Sequence, residues 1–317
     1  MFRLSAKIEI QSDRTWSVEC VTAVEIVRDT DKLTTEAKIT LPKKLKWDGS
    51  EKIPVKRGDK VTISLGYDDN LQTAFSGFVR DVGFKTPVVI TCEDDMFNLK
   101  QMPAKKMAYR SVTLEKLLKD QGISYRLNVM GEQSLGAYRV TADTMAALLG
   151  KLSQQGIRSF FRYEEGEPVL YCGVLFERDN KPSQVFKTGF NIISDQNLKQ
   201  QKAENMRLRV KAVSLMPDNK KIKVEAGDAD GEQRTLHTYN KTESELKAWA
   251  QQEIKRLKRD GLSGSFTTFG HTLVDCLDAV GIIIDGTKMG VYQVKKNVIK
   301  YGDTGYRQEI TLGLRVG

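Results

Sequence analysis

The sequence predicts a mainly β protein of the α+β class, in which two related antiparallel β regions are separated by a small α/β module. Three observations lead to this prediction. Apolar and polar residues alternate through the first hundred residues, as in "KVTISLGY" (60–67) and "PVVITC" (87–92), and this period of two is typical of half-buried strands. Two stretches with helical spacing come next. Strand-like sequence then returns after residue 185 and continues to the end of the chain.

The predicted α/β module consists of two successive units, each a helix followed by a strand. In residues 111–122 and 141–156 the large apolar residues recur at helical spacing, and Gly122 and Gly156 end the two stretches. A glycine directly after an apolar helical stripe is a common helix stop. The module therefore occupies about seventy residues, which we place at 103–172.

A third helix is predicted at 242–260, within the second β region. Thr242 and Glu245 have the spacing of a capping box, in which each residue satisfies a backbone or side-chain group of the other. Gly261 closes the predicted helix. An apolar stripe follows the capping box and is formed by Leu246, Trp249, Ala250, Ile254 and Leu257.

The two β regions contain strands of similar character in the same order. Each set begins with a strand after an acidic turn, continues with a strand that contains V-x-x-V and ends with a strand that contains Ile-Thr. The first set is "DKVTISL" (59–65), "FSGFVRDV" (75–82) and "PVVITCE" (87–93), and the second is "DAVGIIID" (278–285), "VYQVKKNVI" (291–299) and "RQEITLG" (307–313). We interpret this order as an internal duplication.

The composition is that of a water-soluble globular protein, with 317 residues, 40% hydrophobic and 29% charged. The longest apolar run, Ala279–Ile284, is too short to cross a bilayer. The N-terminus alternates from its first residues and lacks the apolar core of a signal peptide, so we expect a cytoplasmic product. The net charge of +9 is spread along the chain without interleaved aromatic residues, which favours solvated faces but leaves nucleic-acid binding open as an alternative.

Cysteine and histidine residues give no metal or catalytic pattern. The four cysteines are far apart, without a CxxC pair, and each lies in an apolar or strand-like context that favours a small buried side chain. His237 and His271 lie in different predicted elements without a companion motif, so we expect packing or surface roles for both. The four cysteines are Cys20, Cys92, Cys172 and Cys276.

Three consecutive acidic residues, Glu93, Asp94 and Asp95, follow the strand-like run 88–92 and precede the short apolar segment 96–100. Paired carboxylates at the end of a strand could hold a metal ion or an activated water. An aspartate before a short helix is also a common N-terminal cap, and this role needs no catalytic partner. We therefore interpret the cluster as a junction between strand and helix.

Sequence motifs for nucleophilic, phosphate-binding or dinucleotide-binding sites are absent, since no GxSxG, GxxxxGK[ST] or GxGxxG occurs. We assign no catalytic, cofactor-binding or metal-ligating residue and do not expect an enzyme. A pair of carboxylates of the glycosidase kind leaves no local signature. A cell-wall hydrolase therefore remains an alternative.

The order of segments resembles the phage tail baseplate hub family, which includes the late-control tail proteins of P2-like phages, the Mu-type and T-even phage hubs and the hub portion of VgrG. The similarity covers essentially the whole chain and consists of strands and glycines. It is carried by "GDKVTISLGY", "FSGFVRDV", "PVVITCEDDMFNLK", "TLEKLL", "GSFTTFG", "VYQVKKNVIKYG" and "RQEITLG".

The resemblance implies two antiparallel β-barrel domains and an inserted α/β domain. The first barrel would be discontinuous, formed by 1–102 and about 173–200, and the second barrel would occupy 201–317. Family members form homotrimers whose six barrels match the six-fold symmetry of the tail tube. The implied partners are the tail tube protein, the spike protein and other baseplate proteins, with DNA passing through the lumen without specific binding.

The resemblance also implies where the protein is found and what it lacks. A phage or prophage hub is made in the bacterial cytoplasm and then becomes part of the tail baseplate of the virion. No cofactor is implied. We expect no fused lysozyme domain and no needle extension after Val316, so the spike would be a separate protein.

Overall fold

The computed structural model describes residues 3–43, 47, 53–83, 85–131, 133–174, 181–216, 218 and 220–317. Strands dominate this part of the chain. In order they are β1 (Leu4–Gln11), β2 (Thr15–Val18), β3 (Ala23–Asp29), β4 (Glu36–Thr40), β5 (Lys60–Tyr67), β6 (Asn70–Val82), β7 (Val89–Glu93), β8 (Ala108–Thr113), β9 (Arg126–Met130), β10 (Ser134–Arg139), β11 (Arg158–Glu164), β12 (Glu167–Gly173), β13 (Gln184–Lys187), β14 (Ile192–Ser194), β15 (Leu198–Gln201), β16 (Leu208–Leu215), β17 (Lys221–Gly227), β18 (Glu232–Tyr239), β19 (Gly261–Phe269), β20 (Ala279–Ile284), β21 (Thr287–Gly302) and β22 (Gly305–Arg315).

The helices of the described residues are few and mostly short. They are α1 (Met96–Gln101), α2 (Leu114–Asp120), α3 (Met145–Ser153), α4 (Glu243–Leu257) and the 3-10 turn Ala203–Asn205. The predicted fold class, mainly β with a minority of helix, is confirmed. Within the described residues no helix is long and apolar enough to cross a membrane.

The chain divides into two compact units. The first comprises Met1–Asn98, Asp179–Leu198 and Gly264–Gly317, and the second comprises Leu99–Arg178 and Lys199–Ser263. These units group the residues differently from the three domains predicted above, whose boundaries stay a prediction. The predicted return to the first barrel begins near residue 173, and residues 175–180 of that region lie outside the described part of the chain.

The first unit contains one large sheet. Its continuous strand order is β14-β19-β22-β21-β3-β4-β7-β6-β5-β1-β2, with β13 and β20 joined at β21. Apolar side chains alternate towards one core, as in β5, where Val61, Ile63 and Leu65 are buried. Strand β21 contributes Ile299 to the same cluster of buried side chains. The period-two pattern in the sequence therefore corresponds to one buried sheet face.

The sheet contains the same strand arrangement twice. In the first half the order is β3-β4-β7-β6-β5-β1, and in the second half it is β14-β19-β22-β21-β20-β13. Neighbouring strands are antiparallel throughout both halves, except that β13 runs parallel to β20 whereas β1 runs antiparallel to β5. The three strands quoted for each predicted repeat are β5-β6-β7 and β20-β21-β22, so the duplication is confirmed in the order of strands.

The acidic turns before β5 and β20 also have the same hydrogen bonds in both halves. Asp59 and Asp278 each accept a bond through Oδ2 from the backbone N–H three residues earlier, at 2.7 Å in both cases. The N–H of Val79 donates to the Asp59 carbonyl (2.9 Å), and the N–H of Val294 donates to the Asp278 carbonyl (2.8 Å). Directly afterwards both β6 and β21 shift register by one residue. The acidic turn and the bulge after it are thus one motif used twice.

The second unit begins with the predicted helix-then-strand module. Thr113 caps α2 by accepting a bond from Lys116 N–H, and Thr144 caps α3 by accepting one from Ala147 N–H. Behind each cap the apolar residues fall on one buried face, which is why these short helices are stable here. The strands β11 and β12 pair antiparallel and β9 pairs parallel to β12. Both predicted helices are confirmed.

A second layer of this unit consists of α4 and the sheet β17-β16-β18. The capping box is present, since Thr242 N–H donates to the Glu245 carboxylate at 2.8 Å. Leu246 and Ala250 of α4 pack on Val210 and Ala212 of β16. The helix ends at Leu257, earlier than the predicted stop at Gly261, because that glycine is already the first residue of β19.

Candidate functional site

The acidic cluster at the end of β7 is a structural junction. Glu93 lies opposite Glu36 in the β4–β7 ladder, an arrangement that is unfavourable for two like charges. Arg80 offsets the repulsion between the two carboxylates, because its guanidinium donates to Glu36 at 2.7 Å and to Glu93 at 3.0 Å. All three side chains are thereby held in one ion-pair group that spans β4, β6 and β7.

Asp94 ties the end of β7 to the segment before β4. Its Oδ2 accepts the Thr35 N–H at 2.8 Å, its Oδ1 accepts the Met96 N–H at 3.1 Å, and its own N–H donates to the Thr35 carbonyl at 3.1 Å. Met96 is the first residue of α1, so the carboxylate satisfies a donor at the helix start. The predicted capping role is confirmed.

Burial also changes the acidity of this carboxyl group. Asp94 is 2% exposed, and removal from water penalises its charged form more than the bonds from Thr35 and Met96 favour it. The pKa of Asp94 is raised to about 7. A raised pKa in a buried carboxyl can indicate a general acid. Its two oxygens accept the backbone N–H groups of Thr35 and Met96, so a structural role explains the arrangement.

The histidines and cysteines lie apart. His237 is half-buried and lies against Gly156, where an added methyl carbon would come within 2.6 Å of the ring. His271 lies in an exposed loop, with its ring 6.2 Å from that of Tyr67. Cys20 is exposed and the other three cysteines are buried. Among the described residues no group of three acidic, histidine or cysteine side chains is close enough to hold a metal ion.

The hydrolase alternative requires two carboxylates in a cavity. A surface cavity of about 610 Å³ in the second unit is lined by Glu115 and Glu164. Lys119 pairs with Glu115 at 2.5 Å, and Arg126 pairs with Glu164. Each of these two carboxylates is thus engaged in an ion pair with a basic side chain, which is typical of a solvated surface.

The nucleic-acid alternative requires unpaired basic side chains in a continuous stripe. In the basic stretch 253–260 the side chain of Arg256 pairs with Glu253 at 2.9 Å and that of Lys258 with Asp228 at 2.6 Å. These carboxylates neutralise part of the charge that the sequence places there. The stretch is a mixed-charge surface of α4, which is typical of a solvated helix face.

A buried polar network in the second half of the large sheet was not predicted from the sequence. Gln308 and Asn297 are both fully buried, and Asn297 Nδ2 donates to Gln308 Oε1 at 2.9 Å. Gln308 Nε2 also donates to the Thr272 carbonyl at 2.6 Å, and Asn297 Nδ2 to the Val274 carbonyl at 2.7 Å. The network therefore fixes the loop that leads from β19 to the acidic turn at Asp278. The only sign of this network in the sequence is a polar residue at an inward-facing position of each strand, Asn297 in "KKNVIKY" and Gln308 in "RQEITLG".

Solved structures are similar to this chain, although no family model and no curated protein matches its sequence. The 43 kDa tail protein of prophage MuSo2 from Shewanella oneidensis is 17% identical, covers 97% of this chain and 96% of its own length, and has a TM-score of 0.62. The tail protein from Neisseria meningitidis MC58 is 14% identical over 98% of this chain and 96% of its own, with a TM-score of 0.64. The chain has the fold of these tail proteins.

The tail-protein fold extends to secretion systems. An Escherichia coli protein, c3393, is 10% identical over 94% of this chain and 74% of its own length, with a TM-score of 0.55. It is described as a component of the type VI secretion system with structural similarity to the T4 tail proteins gp27 and gp5. The resemblance seen in the sequence is thus confirmed at the level of the fold.

Proposed function

We propose that this protein is a structural hub of a phage or phage-like tail, in which three copies form a ring that joins the tail tube to the central spike. The observation that carries the proposal is the repeated six-strand arrangement within one chain. Two copies of one motif per chain and three chains per ring present six similar faces, which is the number that a six-fold tube requires. The tail-protein fold over nearly the whole of both chains supports the same role.

In this role the protein works by shape and rigidity. Large closed interfaces between copies would hold a central passage open and transmit force between tube and spike. The tube protein, the spike protein and other baseplate proteins are the proposed partners. The product would assemble in the bacterial cytoplasm and end in the baseplate of the particle.

The native mass of the purified protein tests the proposal. Light scattering after size-exclusion chromatography should give three times the chain mass of 35.7 kDa, and negative-stain images should show a ring with a central hole. Repeating the measurement over a series of protein concentrations distinguishes a ring that dissociates on dilution from a protein that forms no ring. A strictly monomeric protein at the highest concentration reached would overturn the hub proposal.

A further inference from the structure

Exposed apolar side chains are concentrated at one corner of the large sheet. The large hydrophobic residues that stand exposed in the described part of the chain are Val185 (46%), Phe190 (79%) and Ile193 (42%). All three lie in β13, in β14 or in the loop between these strands. Exposed apolar residues that are scattered singly need no explanation, whereas a cluster of them marks an interaction surface.

The loop that carries Phe190 is fixed by hydrogen bonds on both sides of this residue. The side chain of Asn191 accepts the Lys187 N–H at 2.7 Å and donates to the Val185 carbonyl at 3.0 Å. The Asn191 carbonyl accepts the Thr268 hydroxyl at 2.7 Å. Phe190 is thus an aromatic anchor that is already in place, so a partner that covers it has little ordering entropy to overcome.

Thr188 fastens the same loop to the turn after β20. Its N–H donates to the Ile283 carbonyl at 3.1 Å. Its hydroxyl accepts the Asp285 N–H at 2.8 Å and donates to the Asp285 carboxylate at 3.3 Å. The loop and the end of β20 therefore form one connected corner, in which the Asp285 carboxylate is bound to the loop.

Beside the loop, β13, β20 and β21 form an apolar sheet face that is flanked by two lysines. Residues opposite each other in neighbouring strands place their side chains on the same face of the sheet. Two rows of opposite residues make up this face, Val185–Gly281–Val291 and Lys187–Ile283–Lys288. We call these six residues, together with Phe190, the anchor surface.

The anchor surface carries positive charge without a matching negative charge. Strands β13 and β20 and residues 287–293 contain Lys187 and Lys288 but no acidic residue. Both lysines are exposed, and neither forms an ion pair within the part of the chain that the structure describes. An apolar centre with positive charges at its rim is complementary to a partner surface that combines apolar side chains with carboxylates.

We infer that the anchor surface binds an acidic segment of a different protein of the same particle, whose apolar side chains cover Phe190 and whose carboxylates meet Lys187 and Lys288. This inference rests on the proposed hub function and identifies the chemistry of one of its partners. A second copy of this chain fits poorly, because its net charge is +9 and it would bring further positive charge to the two lysines.

Lipid and nucleic acid also fit this surface less well than an acidic protein segment. Anionic lipid surfaces attract clusters of about four to eight basic residues, whereas the anchor surface offers Lys187 and Lys288. Nucleic-acid backbones are bound through phosphate by basic and polar groups, and the centre of the anchor surface is apolar.

A photo-crosslinker at position 190 tests the occupant directly. Phe190→p-benzoylphenylalanine keeps an aromatic side chain and bonds under ultraviolet light to whatever covers it. In cells that assemble the complete particle, the expected product is a covalent adduct with a different protein, through a peptide that contains apolar residues and an excess of Asp and Glu. The purified labelled protein, irradiated alone, is the matched control and should give no adduct between its copies. An adduct in the particle with a second copy, lipid or nucleic acid, or no adduct at all, would overturn the inference.

Charge reversal tests the two lysines. Lys187→Glu together with Lys288→Glu should lower the yield of the adduct by about ten-fold or more, because each glutamate would repel the carboxylates of the partner. Lys60→Glu, at an exposed position of β5, is the matched control and should leave the yield unchanged. Equal yields from the charge-reversed protein and the control would contradict the inference.

The native mass separates this inference from the hub proposal. Phe190→Ser should keep the mass of the wild-type ring, because the anchor surface contacts a different protein and not a second copy. A ring that dissociates on Phe190→Ser would identify a second copy as the occupant and would overturn the inference while leaving the hub proposal intact. A monomeric wild type would overturn both.

Discussion

Replacement of Asp94 by alanine should destabilise the protein more at acidic than at alkaline pH. Burial raises the pKa of this carboxyl from 3.8 to about 7, so the folded protein binds a proton more tightly than the unfolded chain does. The stability from this proton is fully present below the unfolded pKa and is lost as the pH rises through about 7. A shift of about 3 units corresponds to roughly 4 kcal/mol, of which about 3 kcal/mol falls between about pH 5 and about pH 8.5.

Urea denaturation followed by tryptophan fluorescence measures this effect. The destabilisation caused by Asp94→Ala, which also includes lost hydrogen bonds at every pH, should shrink by about 3 kcal/mol from about pH 5 to about pH 8.5. The control is Asp230→Ala, because Asp230 is exposed and pairs with Arg207 on the surface. Its effect should be flat within about 0.5 kcal/mol. An Asp94→Ala penalty that is constant, or that grows with pH, would refute the reasoning.

Three further substitutions probe other parts of the fold by the same urea assay. Gln308→Ala leaves Asn297 and several loop groups unsatisfied in the core, so a loss of about 3 kcal/mol is expected and a loss under about 1 kcal/mol would count against the network. Leu246→Ala opens a cavity beneath α4 and should cost about 3 kcal/mol, with lower helical circular dichroism at elevated temperature. Thr242→Ala breaks the capping box and should cost about 1 kcal/mol, with Gln251→Ala, at an exposed position of α4, as a control that changes little.

The strands and helices were predictable because their periodicity is local. In β5 the alternation of Val61, Ile63 and Leu65 indicates a buried face without knowledge of the partner strands. The acidic junction could also be predicted, since Asp94 acts on Met96 two residues away. Its second bond, to Thr35, joins positions far apart in the sequence and could not be inferred. The raised pKa depends on this enclosure and was therefore not predictable either.

The position of the second repeat was harder to predict. Its strands β20, β21 and β22 were recognised from the sequence, but β13, which pairs with β20, comes from a segment about a hundred residues earlier. The resemblance implies that 201–317 forms one domain, and this boundary stays a prediction. Strands β16–β18 form their own sheet, which belongs with α4 to the second unit. Long-range pairing of this kind leaves no mark on local periodicity.

Strand β21 has a consequence for how the duplicated halves unfold. Along one edge its first residues pair with β20 of its own half, and its later residues pair with β3 of the other half. Two tandem motifs of this size would ordinarily be able to melt one after the other. Here neither half can unfold without removing strands that pair with β21, so the free energies of unfolding of the two halves are coupled. The first unit, with both of its repeated halves, should therefore denature in a single cooperative transition.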